Sequence, residues 1–384
     1  FYMDLYFLSV VAFLLILAFL VYRDRKNIEF HYFLLMRKTK LGLKILDKLS
    51  KPKIFWKIFG TFSIFLAIFL MFEGLSSLIS YSKLIIEGIA KLPGLSLVIP
   101  SLKPEAEIGP GYLSLPFWLW LTVVISVMLP HELLHGIVCR AENIKVKSAG
   151  WLLLVVFPGA FVEPDEKMLK KSKLLSKLRV FVVGSVANFL LSLLIFQITS
   201  KFIYPYLFVG PIVLKEVNET APAFQAGLKP GMMITKINEK EVKLSYEEFL
   251  SGSLLLEEMK DLKPGDEIVV IANNTPFKLK LASRPENESM PYMGIVASPL
   301  TRVNYNFSIS VIQVLTWVWV INYAVAIFNI LPIYPLDGGL IVEALIEKLN
   351  KKKAKKITIA ISFITISLLL FVVVAPLFPS LQLS

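Results

Sequence analysis

The chain has 384 residues, of which 55% are hydrophobic, and carries a formal charge of +12 with a mean hydropathy of +0.67. Such a composition excludes a soluble globule and fits a protein that crosses a membrane several times. The single cysteine, Cys139, rules out an intrachain disulfide.

In chain order, six apolar runs are long enough to span a bilayer: Leu5–Tyr22, Ile58–Ser80, Pro116–Cys139, Val180–Tyr204, Phe307–Leu331 and Ile357–Leu377. The first lacks a small-residue cleavage site and reads as a span rather than a cleavable signal. Basic residues gather beside these runs in three blocks, Arg23 to Lys57, Lys145 to Arg179 and Lys348 to Lys356. That distribution argues against nucleic acid as the partner. It sets the blocks in the cytoplasm, against anionic headgroups of the lipid bilayer, with both termini outside. Within Arg23–Lys57, leucines interleaved with lysines predict a helix on the inner leaflet or a loose linker. His31 lies there without an assigned role.

The third run holds His131-Glu132-Leu133-Leu134-His135. On a helix, HExxH sets two imidazoles one turn apart on one face, where they can share a metal ion. The glutamate between them is then placed to take a proton from an activated water. Ionisable groups below a membrane surface are costly and need a functional reason. A structural zinc site needs four protein ligands, and three histidines with one cysteine give little to build one from. Pro130, just before His131, is expected to bend this span.

After it, Trp151 to Val162 is apolar, β-prone, broken by Pro158-Gly159 and too short to span. It predicts a β-hairpin that re-enters from the cytoplasm beside the metal, with Val155 and Val156 against the substrate. Such backbone survives at depth only when packed on protein or lining a wet cavity. The competing reading is a surface-lying loop.

Between Pro205 and Pro299 charges become mixed and short β-rich runs appear, Ile212–Val217, Met233–Asn238, Glu267–Ala272 and Phe277–Leu281. Lys229-Pro230-Gly231 and Lys263-Pro264-Gly265 punctuate them, and Ser245 with Glu248 three residues on caps a helix predicted to reach Lys260. The span order places this insert outside the cytoplasm.

A catalytic zinc takes three protein ligands and leaves a position for water. With no histidine left near the membrane, the third is a carboxylate. The candidate is Asp337, in Asn329-Ile330-Leu331-Pro332-Ile333-Tyr334-Pro335-Leu336-Asp337-Gly338-Gly339. The third and fifth spans run in the same direction, so Asp337 falls at the depth of His131 and His135. Gly338 and Gly339 permit the tight backbone that points it at the metal.

HExxH on one span and N-x-x-P-x-x-P-L-D-G on a later one together resemble the site-2 protease family of intramembrane zinc metalloproteases. Gly184-Ser185-Val186-Ala187-Asn188 is similar to that family's G-x-x-x-N element, and Pro158 to Glu166 resembles archaeal members. Val213 to Val217, Ala221-Pro222-Ala223 and Ala226 to Gly231, followed by Ile234 to Asn238, resemble a PDZ domain, which accepts extended peptides along a strand edge. The resemblance implies one zinc per chain on His131, His135 and Asp337. Glu132 is then general base and acid, Asn329 steadies substrate or oxyanion, and Asn188 and Gly338 contact the substrate.

The expected architecture is a multi-pass α-helical bundle with a re-entrant β-hairpin and an inserted extracytoplasmic PDZ domain. Its parts are two N-terminal spans with a basic segment (1–114), a core with HExxH and the hairpin (115–204), the PDZ domain (205–300), the span leading to Asp337 (301–340) and a last span (341–384). The expected partners are a transmembrane protein substrate and a protein tail at the PDZ domain. Two other readings remain: a membrane zinc peptidase of the CAAX-processing type, whose third ligand is a glutamate, and an inactive PDZ-bearing scaffold.

Overall fold

The computed structural model describes residues 2–32, 34–154, 157–242, 245–251, 255–285 and 287–378. The chain divides into two compact units, residues up to 193 together with 317 onward, and residues 194–316.

The first unit opens with α1 (Tyr2–Arg23), followed by β1 (Ile28–His31), β2 (Leu34–Lys38), α2 (Lys40–Leu49) and α3 (Lys53–Ile86). The basic segment expected as a surface helix or a loose linker therefore contains two strands as well as a helix. β1 and β2 pair antiparallel, and β2 pairs with β6 (Val146–Leu154), which pairs with β7 (Phe157–Pro164), in the order β1-β2-β6-β7. The strands of the expected hairpin, β6 and β7, thus form one end of a four-stranded sheet. Val155 and Val156, expected against the substrate, lie outside the described residues. Within that basic segment α2 is the α-helix that lies wholly inside it, and α3 begins at Lys53. The cap of α2 is Thr39, whose Oγ1 accepts from the Gly42 N–H at 3.1 Å. Leu46 of α2 is buried in the core that also holds Ile137, Val138 and Cys139.

A small three-stranded sheet of β3 (Leu97–Ser101), β4 (Glu107–Gly109) and β5 (Tyr112–Pro116) leads into α4 (Phe117–Ala141). α4 continues as helix past Pro130. It ends where Asn143 takes a φ of +59°, and the Ile144 N–H closes back on the Cys139 carbonyl at 2.8 Å. The short α5 (Glu166–Lys171) precedes α6 (Leu174–Ile198). Asp165 caps α5 by accepting from the Met168 N–H, and that bond holds its carboxyl below the usual range.

The second unit takes the chain through a π-turn (Thr199–Ile203) and α7 (Tyr204–Leu207) to β8 (Phe208–Val217). There follow α8 (Pro222–Gln225), β9 (Met233–Ile237), β10 (Lys240–Glu241), α9 (Tyr246–Ser251) and α10 (Leu256–Met259). β11 (Glu267–Ala272), β12 (Thr275–Lys280), β13 (Ala282–Arg284), β14 (Asn287–Tyr292) and β15 (Ile295–Thr301) complete it. The main sheet has the order β12-β11-β9-β8-β15, with β10 on β9. Alternate apolar residues such as Ile212, Leu214, Ile268 and Val270 fill one core. Gly231 and Gly265, in the two Lys-Pro-Gly turns, take φ of +86° and +95°, as turn glycines do. Ser245 and Glu248 form the expected reciprocal cap, at 2.9 Å and 3.1 Å. The helix expected to reach Lys260 is broken, because Leu255 takes a φ of +72° that no helix interior allows.

α11 (Tyr305–Ile330), α12 (Asp337–Leu349) and α13 (Ala354–Val374) end the chain. Among the described residues six helices are long and apolar enough to cross a membrane: α1, α3, α4, α6 with its extension to Leu207, α11, and α13 extended to Leu377. Glycine sets one close approach in the four-stranded sheet. A methyl group at Gly150 of β6 would overlap the Arg37 carbonyl of β2. Gly150→Ala should therefore weaken the β2–β6 pairing by about 1–3 kcal/mol and lower the melting temperature in detergent. An unchanged melting temperature would contradict the pairing.

Candidate metal centre

α4 presents His131 and His135 on one face, with their Nε2 atoms 3.2 Å apart. Asp337, the first residue of α12, meets both. Its Oδ2 lies 3.5 Å from His131 Nε2 and its Oδ1 lies 3.5 Å from His135 Nε2. Residues distant in sequence thus bring two imidazole nitrogens and a carboxylate within 4.8 Å of one another. Two features hold Asp337 there. The loop before it is fixed by α13, where Ser362 Oγ accepts from the Tyr334 N–H at 2.8 Å. The far end of α12 is tied by Glu347 to Lys177 of α6 at 2.8 Å, a contact that holds the Glu347 carboxyl below its ordinary range.

The third wall is α6. Val180, Gly184 and Asn188 follow one another at four-residue spacing, so they share a face. His135 Nδ1 lies 2.7 Å from the Val180 carbonyl, which can only accept. Nδ1 therefore carries a proton, which leaves Nε2, facing Asp337, as the atom that could ligate a metal. A methyl group at Gly184 would lie 2.7 Å from His131 Nε2, so only glycine leaves room there. Two imidazole nitrogens and a carboxylate are the donor set of catalytic zinc, with a fourth position left for water. The residues fit the ion.

Glu132, between the two histidines on α4, reaches to β7. Its Oε2 accepts from the Val162 N–H of β7 at 3.1 Å. It also lines a cavity of about 410 Å³ between α2, α4, β6 and β7, whose remaining walls are mainly apolar. Ala149, opposite Val162, gives its carbonyl to Thr39 on the β2 side. Val162 is therefore in a non-hydrogen-bonded pair and turns its own backbone groups to the outer edge of β7. Among the described residues no strand pairs with that edge.

The remaining expected site residues divide. Asn329 is half-buried near the end of α11, and among the described residues its amide has no hydrogen-bond partner. Gly338 is buried, and a methyl group there would overlap the Ile330 and Leu331 carbonyls, so the backbone packs closely at this point. Asn188 lies inside α6's packed face. It is wholly buried, with its amide nitrogen 3.3 Å from His131 Nδ1, facing a candidate ligand instead of an entering peptide. Sequence reasoning missed Ser185, whose Oγ donates to Asp337 Oδ2 at 2.8 Å. The only signal in the sequence was its place inside the G-x-x-x-N element.

The sequence profile of peptidase family M50, the site-2 protease family of zinc metalloproteases, matches residues 118–372. An uncharacterized protein of Methanocaldococcus jannaschii is 32% identical over 324 residues, covering 84% of this chain and 80% of that one. A provisionally named zinc metalloprotease of Agrobacterium fabrum is 29% identical over 124 residues, or 32% of this chain and 30% of that protein. Zinc analysis checks the ligand set: purified wild type should hold about one equivalent, and Asp337→Ala should lose it while remaining folded. Undiminished zinc in that variant would remove Asp337 from the site. With the profile matched over most of its length, the chain belongs to peptidase family M50 and is a membrane metalloprotease.

Proposed function

We propose that this protein is an intramembrane zinc endopeptidase that hydrolyses peptide bonds within transmembrane segments of other membrane proteins. The observation that carries the reading is the meeting of His131, His135 and Asp337, with Glu132 of the same motif opening onto an apolar cavity. The cavity walls include Leu41, Ile45, Ile125 and Leu129, all substantially exposed on their outer sides. Apolar walls of that kind suit a substrate arriving through lipid. The aspartate ligand and the family speak against the CAAX-processing reading, and the intact triad with Glu132 speaks against an inactive scaffold.

A zinc ion on the triad supplies a Lewis acid that acidifies a water and polarises the scissile carbonyl. Glu132, steadied by the Val162 N–H, takes the proton from the attacking water and delivers it to the leaving amide nitrogen. The Asn329 amide donates to the oxyanion that forms. A helical substrate has its peptide groups occupied, so it must unwind locally first. The outer edge of β7 offers the unwound strand a backbone to pair with, which holds the scissile bond extended beside Glu132.

In this reading β6 and β7 re-enter the membrane from the cytoplasm. The basic blocks face the cytoplasm, and residues 205–300 form a PDZ domain outside it that screens substrates by size or reads a tail. The sheet order and the glycine turns of the second unit support that domain reading. The cleavage acts in regulated intramembrane proteolysis, releasing a membrane-tethered regulator after an earlier cut.

Two measurements follow. Glu132→Gln should keep its zinc yet abolish cleavage of single-span helices in detergent, because the ligands stay and the proton carrier goes. Retained turnover would overturn the role. In a Cys139→Ala background, Leu154→Cys and Phe157→Cys should resist an aqueous thiol reagent in membranes. Rapid labelling of both would place the hairpin at the surface.

A further inference from the structure

We propose that α6 is the orienting helix of the metal centre, with Ser185 and Asn188 as positioning residues that set Asp337 and His131 for the ion. The Val180 carbonyl does the same for His135. The inference rests on the zinc reading of the triad given above. It assigns one anchor on a single helix to each of the three ligands, which come from α4 and α12.

Ser185 is fully buried, and its hydroxyl donates to Asp337 Oδ2 at 2.8 Å. That bond selects one carboxylate orientation and leaves Oδ1, which already faces His135 Nε2, free for a cation. The ligand then enters the site without losing its own rotational freedom on metal binding.

The argument for Asn188 is sharper. When His131 binds a cation through Nε2, its Nδ1 carries the proton and needs an acceptor. The Asn188 amide stands 3.3 Å from that Nδ1, and its oxygen Oδ1 is buried without a partner. Amide nitrogen and oxygen exchange places by a half-turn of the side chain and are nearly indistinguishable in shape. With the oxygen toward His131, it accepts the Nδ1 proton, and the tautomer needed for metal binding is fixed. The orphaned oxygen and the imidazole proton satisfy one another. An apolar side chain at 188 would leave the imidazole N–H buried with nothing to accept it, which disfavours the metal-binding tautomer.

The spacing makes this possible on one helix. Val180 and Asn188 are two turns apart on the face that Gly184 keeps open against both histidines, and Ser185 lies one residue round toward α12. From Val180 to Leu191 the side chains of α6 other than Ser185 and Asn188 are apolar, so these two polar groups have a common target.

The test measures zinc affinity of the full-length protein in detergent, by competition with a chelator of known affinity, beside the melting temperature of the zinc-free protein. Ser185→Ala and Asn188→Leu should each weaken zinc binding about 10- to 100-fold. Asn188→Asp, which keeps an acceptor, should stay near wild type. The zinc-free Ser185→Ala protein should remain folded with a modestly lower melting temperature, since Asp337 Oδ2 loses a buried donor. Lowered zinc-free melting with unchanged affinity in both Ser185→Ala and Asn188→Leu would show a packing role and overturn the proposal. Loss of affinity in Asn188→Asp would overturn the acceptor role of Asn188, and this arm decides even where Asn188→Leu fails to fold. Asp337→Ala separates the levels: zinc retained there defeats the triad itself, whereas zinc lost there but held in the α6 variants defeats only this inference.

Discussion

The structure depends on one electrostatic meeting, in which a carboxylate and two imidazoles share a space from which water is largely excluded. Each group alone would be expensive to bury, because a low-dielectric surrounding disfavours unpaired polar and charged atoms. Together they are mutually compensating, and a cation completes them. The surrounding helices are arranged to make the meeting happen. α4 supplies two ligands at fixed helical spacing. α12 begins at Asp337 itself, held by α13 at the loop before it and by the Lys177–Glu347 pair beyond it. α6 fills the remaining side with a carbonyl, a hydroxyl, an amide and, at Gly184, the absence of a side chain.

In the proposed reading, hydrolysis within a membrane poses two difficulties, and groups on and around α4 are offered to each. Water must be activated where little is present, and a hydrogen-bonded helix must present an accessible carbonyl. The ligand face of α4 deals with the first. Glu132 sits at the boundary, one carboxylate oxygen bound to a strand and the residue itself lining an apolar cavity. The second falls to the sheet. Because β7 ends the order β1-β2-β6-β7, its outer edge has no partner strand among the described residues, and the proposed reading pairs a substrate strand there. Ordinary proteins blunt such edges to avoid unwanted pairing; a protease that must unwind its substrate gains from leaving one open.

Much of this was legible from residues alone, where local chemistry decides the structure. HExxH and Asp337 carry a metal-binding logic that needs only helix geometry and span direction. The Ser245–Glu248 cap and the two Lys-Pro-Gly turns are likewise short-range signals, and the structure places them as expected. The failures share a cause. Leu34 to Lys38 shows no strand alternation, and its strand character comes from pairing with β6, more than a hundred residues away. The helix after Ser245 breaks at Leu255 through a positive φ that side-chain type does not advertise. Ser185 and Asn188 look like ordinary small polar residues in a span. Only the folded chain brings them against Asp337 and His131.

The central claim is the identity of the atoms around the ion, and zinc-edge X-ray absorption of the purified protein reads them directly. The account predicts only nitrogen and oxygen neighbours at about 2.0–2.2 Å, with the outer scattering pattern of two imidazoles and no sulfur. A sulfur neighbour near 2.3 Å, which would bring in Cys139, or a spectrum without imidazole scattering, would contradict it.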